Sequence, residues 1–329
     1  MSSVIIIGGS GFIGTRLCCR FFAAGKQFKI VDKSCSKTYP ALTAIADVRD
    51  DQGLSKAVGN GSLIINLAAE HRDDVNPKSL YNEVNVGGAR NVCKAAEAKG
   101  IEKIIFTSSV AIYGFAPIGT DETGAFNPFN DYGRTKMEAE AVYRVWQGGD
   151  PERRSLVIVR PTVVFGEQNR GNVYNLLRQI AGGRFVMVGN GRNLKSMAYV
   201  ENVVAFIEHS LGFGPGVHIY NYVDKPDFDM NTLVSTVLNE LGKSDKIRLR
   251  LPYPVGYGIG KIFDLLSFIS GRKLPISSIR VKKFCSDTMF ETSIARTGFI
   301  PPVSLAEGLR RTIRYEFIER HNGEVFYTE

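Results

Sequence analysis

Val4-Ile5-Ile6-Ile7-Gly8-Gly9-Ser10-Gly11-Phe12-Ile13-Gly14 is the stretch that decides the architecture. Four apolar β-branched residues in a row suit a strand buried on both faces. Ile13, Leu17 and Phe21 then recur at four-residue steps, the period of a helix over Gly11–Ala24. Between strand and helix the glycines fall at Gly8, Gly11 and Gly14. The first allows a sharp turn off the strand, the second a close approach of backbone to a pyrophosphate, and the third tight packing of helix on sheet. The helix N-terminus adds unpaired N–H groups and the positive end of a dipole. A ligand-free glycine turn is the alternative. The strand–helix context favours a dinucleotide at Gly8, Gly11, Phe12, Ile13 and Gly14.

Outward from this unit the pattern repeats. Phe28–Asp32, Leu63–Ala68, Lys103–Ser108 and Leu156–Arg160 read as strands, with helices over Asn82–Lys99 and Tyr132–Trp146. Strand and helix in alternation predict an α/β fold with a doubly wound parallel sheet of Rossmann type. After Pro161 glycine and proline become frequent and elements shorten. That predicts a smaller C-terminal substrate lobe: residues 1–165 for the dinucleotide and 166–329 for substrate, with an approximate boundary and interleaved lobes. Asp32 ends the second strand, where a carboxylate accepts from ribose hydroxyls and repels a 2′-phosphate, which favours NAD over NADP.

The net charge of +8 suits a phosphate-bearing ligand, a nucleic acid or an anionic membrane surface. Five cysteines without a Cys-x-x-Cys predict neither a disulfide framework nor a zinc site. No metal is expected. Neither a signal peptide nor a spanning helix is legible, so a cytoplasmic protein is expected, peripheral on the inner face of the cell membrane. Arg310, Arg311 and Arg314 are read as following a terminal helix. Without interleaved aromatics they suggest a solvated face and no nucleic acid.

Tyr132-Gly133-Arg134-Thr135-Lys136 places a phenol and an ammonium one helical turn apart. A phenol ionises near pH ~10 when unperturbed, and a nearby cation lowers that value. Such a tyrosine can take a proton from a sugar hydroxyl as hydride leaves the carbon. A chance Tyr–Lys pair on a surface helix is the bland reading. Against it stands Phe106-Thr107-Ser108-Ser109, a strand end whose serine hydroxyl can donate to a substrate oxygen.

These elements, in this order, resemble the extended short-chain dehydrogenase/reductases, also called the NAD-dependent epimerase/dehydratase family, over nearly the whole chain. The resemblance implies the catalytic set Ser109, Tyr132 and Lys136. For NAD it implies Gly8, Gly11, Gly14 and Asp32, then Asp47 and Val48 along the adenine and Leu67, Ala68 and Ala69 by the pyrophosphate. Asn85 braces the active-site strand. Thr107, Tyr132, Lys136 and Pro161 complete the cofactor contacts, and Arg160-Pro161-Thr162 runs past the nicotinamide. Dehydratases and decarboxylases of the family carry acids just after the catalytic serine or threonine. Here that stretch is Val110-Ala111-Ile112. Family reductases usually use NADPH, which Asp32 disfavours. A 4-epimerase remains, with NAD retained through the cycle.

The resemblance extends to the second half. Asn172 and Val173, Lys195, and Arg280 with Lys282 and Lys283 match segments that touch a sugar diphosphate in relatives, and Ser109 also contacts substrate. Ala68–Val75, Asn221–Asp227 and Arg280–Cys285 resemble a subgroup that interconverts GlcNAc and GalNAc on undecaprenyl diphosphate for surface polysaccharide such as O-antigen. A UDP-N-acetylglucosamine or UDP-glucose 4-epimerase is the alternative, and a non-catalytic NAD-binding module a third reading. The apolar run Leu251–Arg272, flanked by Arg248, Arg250, Lys273, Arg280, Lys282 and Lys283, suits an anionic membrane surface. A buried helix or a dimer contact would explain it as well. His71 and Arg72 are expected in a loop near the cofactor. The helices Asn82–Lys99 and Tyr132–Trp146 resemble those paired in family homodimers, so a homodimer is expected.

Overall fold

Ile5 and Ile7 point to one side of the first strand, and Val4 and Ile6 to the other, each into a separate apolar core. A strand buried on both faces needs helices on both faces. The computed structural model describes residues 3–60, 63–72, 75–247, 249–271, 274 and 277–328. Asp73, Asp74, Arg248, Arg272 and Lys273, singled out above, lie outside them.

The chain begins β1 (Val4–Ile7), α1 (Phe12–Ala23), β2 (Phe28–Asp32), β3 (Thr43–Ile45), α2 (Asp51–Val58) and β4 (Leu63–Asn66). A long helix follows as α3 (Ser79–Tyr81), a π-wound segment over Asn82–Gly87, and α4 (Gly88–Ala98). Then come β5 (Lys103–Thr107), α5 (Asp131–Gly148) and β6 (Ser155–Pro161). The second part comprises β7 (Val163–Phe165), α6 (Asn172–Ala181), β8 (Met187–Val188), β9 (Leu194–Tyr199), α7 (Val200–His209), β10 (Gly216–Tyr222) and β11 (Asp224–Asp229). It closes with α8 (Met230–Glu240), β12 (Arg250–Leu251), α9 (Tyr253–Ser270), α10 (Ser278–Cys285) and α11 (Leu305–Phe317).

Seven strands form one parallel sheet in the order β10-β6-β5-β4-β1-β2-β3. The order reverses between β1 and β4, which opens a crevice at their C-terminal ends. Residues from α2, α4 and α5 cover one face and residues from α1 and α7 the other. The chain leaves the sheet after β6 and returns to it at β10, so the edge strand comes from the C-terminal half. Small sheets β11-β9-β7 and β12-β8 build the remainder. Arg310, Arg311 and Arg314 lie within α11, not after it. There Arg310 and Arg311 pair with Glu307, because i,i+3 and i,i+4 positions share a face, and Arg314 pairs across to Glu240 of α8.

The run from Leu251 forms a helix turned inside out. Its small residues face inward: a Cβ on Gly256 would stand 2.5 Å from Val188, and one on Gly260 2.7 Å from Ser278 Cα. Ile262, Leu265, Leu266, Phe268 and Ile269 are exposed, Phe268 at 85%. The buried-helix explanation therefore fails for this chain alone. No helix among the described residues is long and apolar enough to cross a membrane.

Candidate active site

The loop from Gly8 to Gly14 sits at the crevice. A Cβ on Gly8, whose φ is +78°, would meet the Ala68 nitrogen at 2.6 Å, and one on Gly14 the Gly8 carbonyl oxygen at 2.5 Å. Around Gly11 the nearest atom would be 3.4 Å away, so space opens there alone of the three. Gly11 caps α1 with no side-chain bond, and the first turn carries no acid. Asp32 accepts from the backbone N–H groups of Ser10 and Ser34, both at 3.0 Å, which fixes its carboxylate beside the loop. This cradle, with an unblocked helix end and an acid at the second strand, fits an NAD pyrophosphate and ribose. Val48 is buried, and Asp47 is bound by Arg49, whose hydrogen bonds hold its carboxyl below the usual range. Phe12 is buried, whereas Ile13, Leu67, Ala68 and Ala69 are half-buried along the crevice. His71 and Arg72 are exposed in the loop after β4.

Asn85 lies in the π-wound segment. Its amide donates to the Glu70 carbonyl at 2.9 Å and to Thr135 Oγ1 at 2.9 Å, and its oxygen accepts from the Glu70 N–H at 2.8 Å. One side chain thus ties the loop after β4 to the helix that carries Tyr132 and Lys136. π-wound turns inside α-helices are frequent at functional sites.

Ser109 caps a short turn over Val110–Tyr113, its hydroxyl accepting from the Ala111 N–H at 3.1 Å. Asn130 caps α5 through the Gly133 N–H at 2.9 Å. Gly133 brings the two elements together, since a Cβ there would sit 2.5 Å from the Ala111 carbonyl oxygen. Ser109 is thereby brought near the Tyr132 phenol; burial raises the phenol's pKa and Ser109 opposes the shift, so the lowering by Lys136 expected from the helical spacing is corrected, because burial dominates. Lys136 is buried, with its ammonium 4.3 Å from the centroid of Phe106. Burial brings it down to about 7, against the pull of the Glu140 charge. Thr107 and Pro161 are buried at the ends of β5 and β6, and the buried Ser108 hydroxyl has no partner.

Glu140 is the residue that sequence reasoning missed. It binds Arg160 through bonds of 2.9 and 2.6 Å, with both side chains 1% exposed. Burial disfavours the guanidinium charge, but the Glu140 bonds outweigh it and raise the pKa of Arg160. Arg160 also donates to Tyr113 Oη at 2.6 Å, and Tyr113 donates to Asn221 at 2.8 Å. This chain of contacts locks the turn after Ser109 to α5, β6 and β10. Its signal was present: 132, 136 and 140 are polar at four-residue steps on the inward face of α5.

Two residues expected at the substrate are engaged by the fold itself. Val173 is buried in the core, so its side chain is unavailable to a ligand, while Asn172 beside it is exposed. Lys195 braces the fold: its ammonium donates to the carbonyls of Lys283 at 2.9 Å and Ser286 at 2.6 Å, at the C-terminal end of α10. Desolvation by burial takes it to about 8. Arg280 and Lys282 are exposed on α10, and Lys283 is half-buried there.

A hydride-transfer cleft on a doubly wound sheet defines the class, and the chain belongs to the NAD dependent epimerase/dehydratase family, whose pattern matches residues 4–222. Among its relatives, it is 51% identical over 327 residues to the N-acetyl-alpha-D-glucosaminyl-diphospho-ditrans,octacis-undecaprenol 4-epimerase of Escherichia coli O157:H7, covering 99% of this chain and 98% of that protein. Its fold is similar to the UDP-glucose 4-epimerase of Thermotoga maritima with UDP-glucose, at a TM-score of 0.74, 21% identity, and 95% and 98% coverage. It is equally similar to the UDP-glucuronic acid 4-epimerase of Bacillus cereus in complex with NAD, at 0.73, 18%, and 95% and 98%.

Proposed function

We propose that this protein is an NAD-dependent 4-epimerase that interconverts GlcNAc and GalNAc carried on undecaprenyl diphosphate, for surface polysaccharide assembly. The observation that carries the reading is the 51% identity, over nearly all of both chains, to an enzyme named for that reaction. The meeting of Ser109 and Tyr132 beside buried Lys136 supports it chemically.

NAD supplies reversible hydride acceptance at C4 of the sugar. The residues to hold it are Gly8, Gly11 and Gly14 at the pyrophosphate and Asp32 at the ribose. Tyr132 Oη takes the C4 hydroxyl proton, and Ser109 donates to the same oxygen. Lys136, one helical turn further along α5, is the residue to hold the nicotinamide ribose. After the sugar turns over, the proton returns from Tyr132 to the C4 oxygen. Val110, Ala111 and Ile112 offer no acid to move a further proton, so elimination does not compete. Cationic Lys282 and Arg280 suit the diphosphate.

The reading includes peripheral attachment to the inner face of an anionic membrane. The exposed apolar face of α9 lies beside Lys261, Arg280 and Lys282, and this pairing of apolar and cationic groups matches anionic lipid. It also includes a homodimer. Ala141, Val142 and Val145 on α5 line a surface groove with Arg90 and Glu138, whose opposite charges suit a two-fold contact with a second copy.

The test offers purified protein GlcNAc-diphospho-undecaprenol and UDP-GlcNAc separately. Conversion of the lipid-linked sugar to its GalNAc form is expected. Turnover of UDP-GlcNAc with none of the lipid-linked sugar would overturn the reading.

A further inference from the structure

Phe115 and Phe129 are exposed aromatic residues that the catalytic chemistry does not use. They arise from the two segments that carry the reacting groups: Phe115 lies six residues past Ser109, and Phe129 three before Tyr132. Gly114 makes their meeting possible. Its φ is +66°, and a Cβ there would lie 1.9 Å from the Asn127 carbonyl oxygen, so the two segments cross at this point. The rings stand 4.9 Å apart, and each side chain is 46% exposed.

The pair has neighbours of one kind. Lys282 Nζ is 5.4 Å from the Phe115 centroid, and Lys283 Nζ is 4.4 Å from that of Phe129. Both lysines belong to α10, which packs on α9; Ser278 at its start donates to Asp264 of α9 at 2.5 Å. The ring pair thus stands between the segments that carry Ser109 and Tyr132 and helix α10, which packs on α9, whose large apolar side chains are exposed. Single exposed apolar residues are ordinary on a protein surface, whereas an exposed pair bordered by cations offers a surface that an apolar, anionic ligand can cover. Here the coverer is set by the surroundings: the cations select an anion, and the apolar continuation selects a hydrocarbon attached to it.

We infer that Phe115 and Phe129 form a portal that packs the first isoprene units of the substrate's prenyl chain, and so select lipid-linked over isoprene-free sugar diphosphates. This rests on the lipid-linked reading of the substrate. The flat, branched isoprene unit presents apolar area to both ring faces. The contact lies outside the reacting atoms, so it acts through substrate binding and leaves the chemical step alone.

The experiment compares two soluble substrates that share the amino sugar and diphosphate: one bearing two isoprene units, the other a methyl cap. Steady-state KM and kcat are measured for the wild type, for Phe115→Ser with Phe129→Ser, and for the conservative Phe115→Tyr with Phe129→Tyr. The wild type is expected to show a KM lower by about tenfold for the prenylated substrate, which is about 1.4 kcal/mol. The serine variant should lose that preference with kcat retained, and the tyrosine variant should keep it. A serine variant that keeps the wild-type ratio, or that loses kcat equally on both substrates, overturns the portal. Wild-type protein that converts UDP-GlcNAc, assayed alongside, but neither of these two substrates instead removes the lipid-linked reading itself, and the portal with it.

Discussion

Replacing Glu140 by Gln probes the buried lock behind the catalytic turn. Glu140 and Arg160 share two hydrogen bonds, and each is 1% exposed. The substitution leaves a guanidinium buried against a neutral amide. Removing one partner of a buried pair costs about 3–5 kcal/mol. Unfolding entropy is about 2.1 cal/mol/K per residue near 60 °C. Over 329 residues this comes to about 0.7 kcal/mol/K. The midpoint should therefore fall by about 4–7 °C in a calorimetric scan. Glu140→Leu combined with Arg160→Met removes both charges and should recover most of the loss. A second readout follows from Lys136, whose pKa the Glu140 charge supports. In Glu140→Gln the alkaline limb of the pH–activity profile should move to lower pH. An unchanged midpoint together with an unchanged profile would refute the assignment of this pair as the lock.

Other substitutions test the remaining parts. Tyr132→Phe should abolish turnover while NAD stays with the protein, as native mass spectrometry would reveal; retained activity removes Tyr132 as the base. Gly133→Ala should lower kcat by about 100-fold, because the added Cβ meets the Ala111 carbonyl oxygen at 2.5 Å and parts Tyr132 from Ser109. Lys136 titrates near 7 in the folded chain against 10.5 when free, so its burial penalty is full below about pH 7 and is relieved as pH rises toward 10.5. Wild-type stability, measured against Lys136→Met, should accordingly increase between about pH 7 and 9. Leu265→Ser with Phe268→Ser should reduce flotation with vesicles containing anionic phosphatidylglycerol; undiminished flotation contradicts docking through α9.

The sheet was legible because its signals are local. Val4–Ile7, the three glycines and Asp32 lie within one short stretch; a Cβ on Gly8 or Gly14 would strike backbone, whereas Gly11 borders open space. Tyr132 and Lys136 were legible through helical spacing. Glu140 was not read, although it continues that spacing, because a carboxylate on an inward face declares nothing until its partner is known. Arg160 comes from a strand twenty residues later, and only the fold brings the two side chains into contact. The bracing bonds of Lys195 were illegible for a related reason. A lone cation in a sequence looks available to a phosphate, whereas the backbone carbonyls of Lys283 and Ser286 at the end of α10 already take two of its donors.

The sequence by itself determined the sheet and the dinucleotide loop, since these depend on periodicity and on residue types at fixed short spacings, while Ser109, Tyr132 and Lys136 were pointed to as reacting groups by the resemblance to the family. Tertiary structure decided which apolar residues stay wet and which polar ones are sealed. The run after Leu251 has the composition of a buried helix, yet Gly256 and Gly260 take the inward positions and the large side chains are left outside. Phe115 and Phe129 become neighbours through the crossing at Gly114, a contact between segments that no periodicity links. Burial is a property of what packs against a residue, and that is fixed by the whole chain at once.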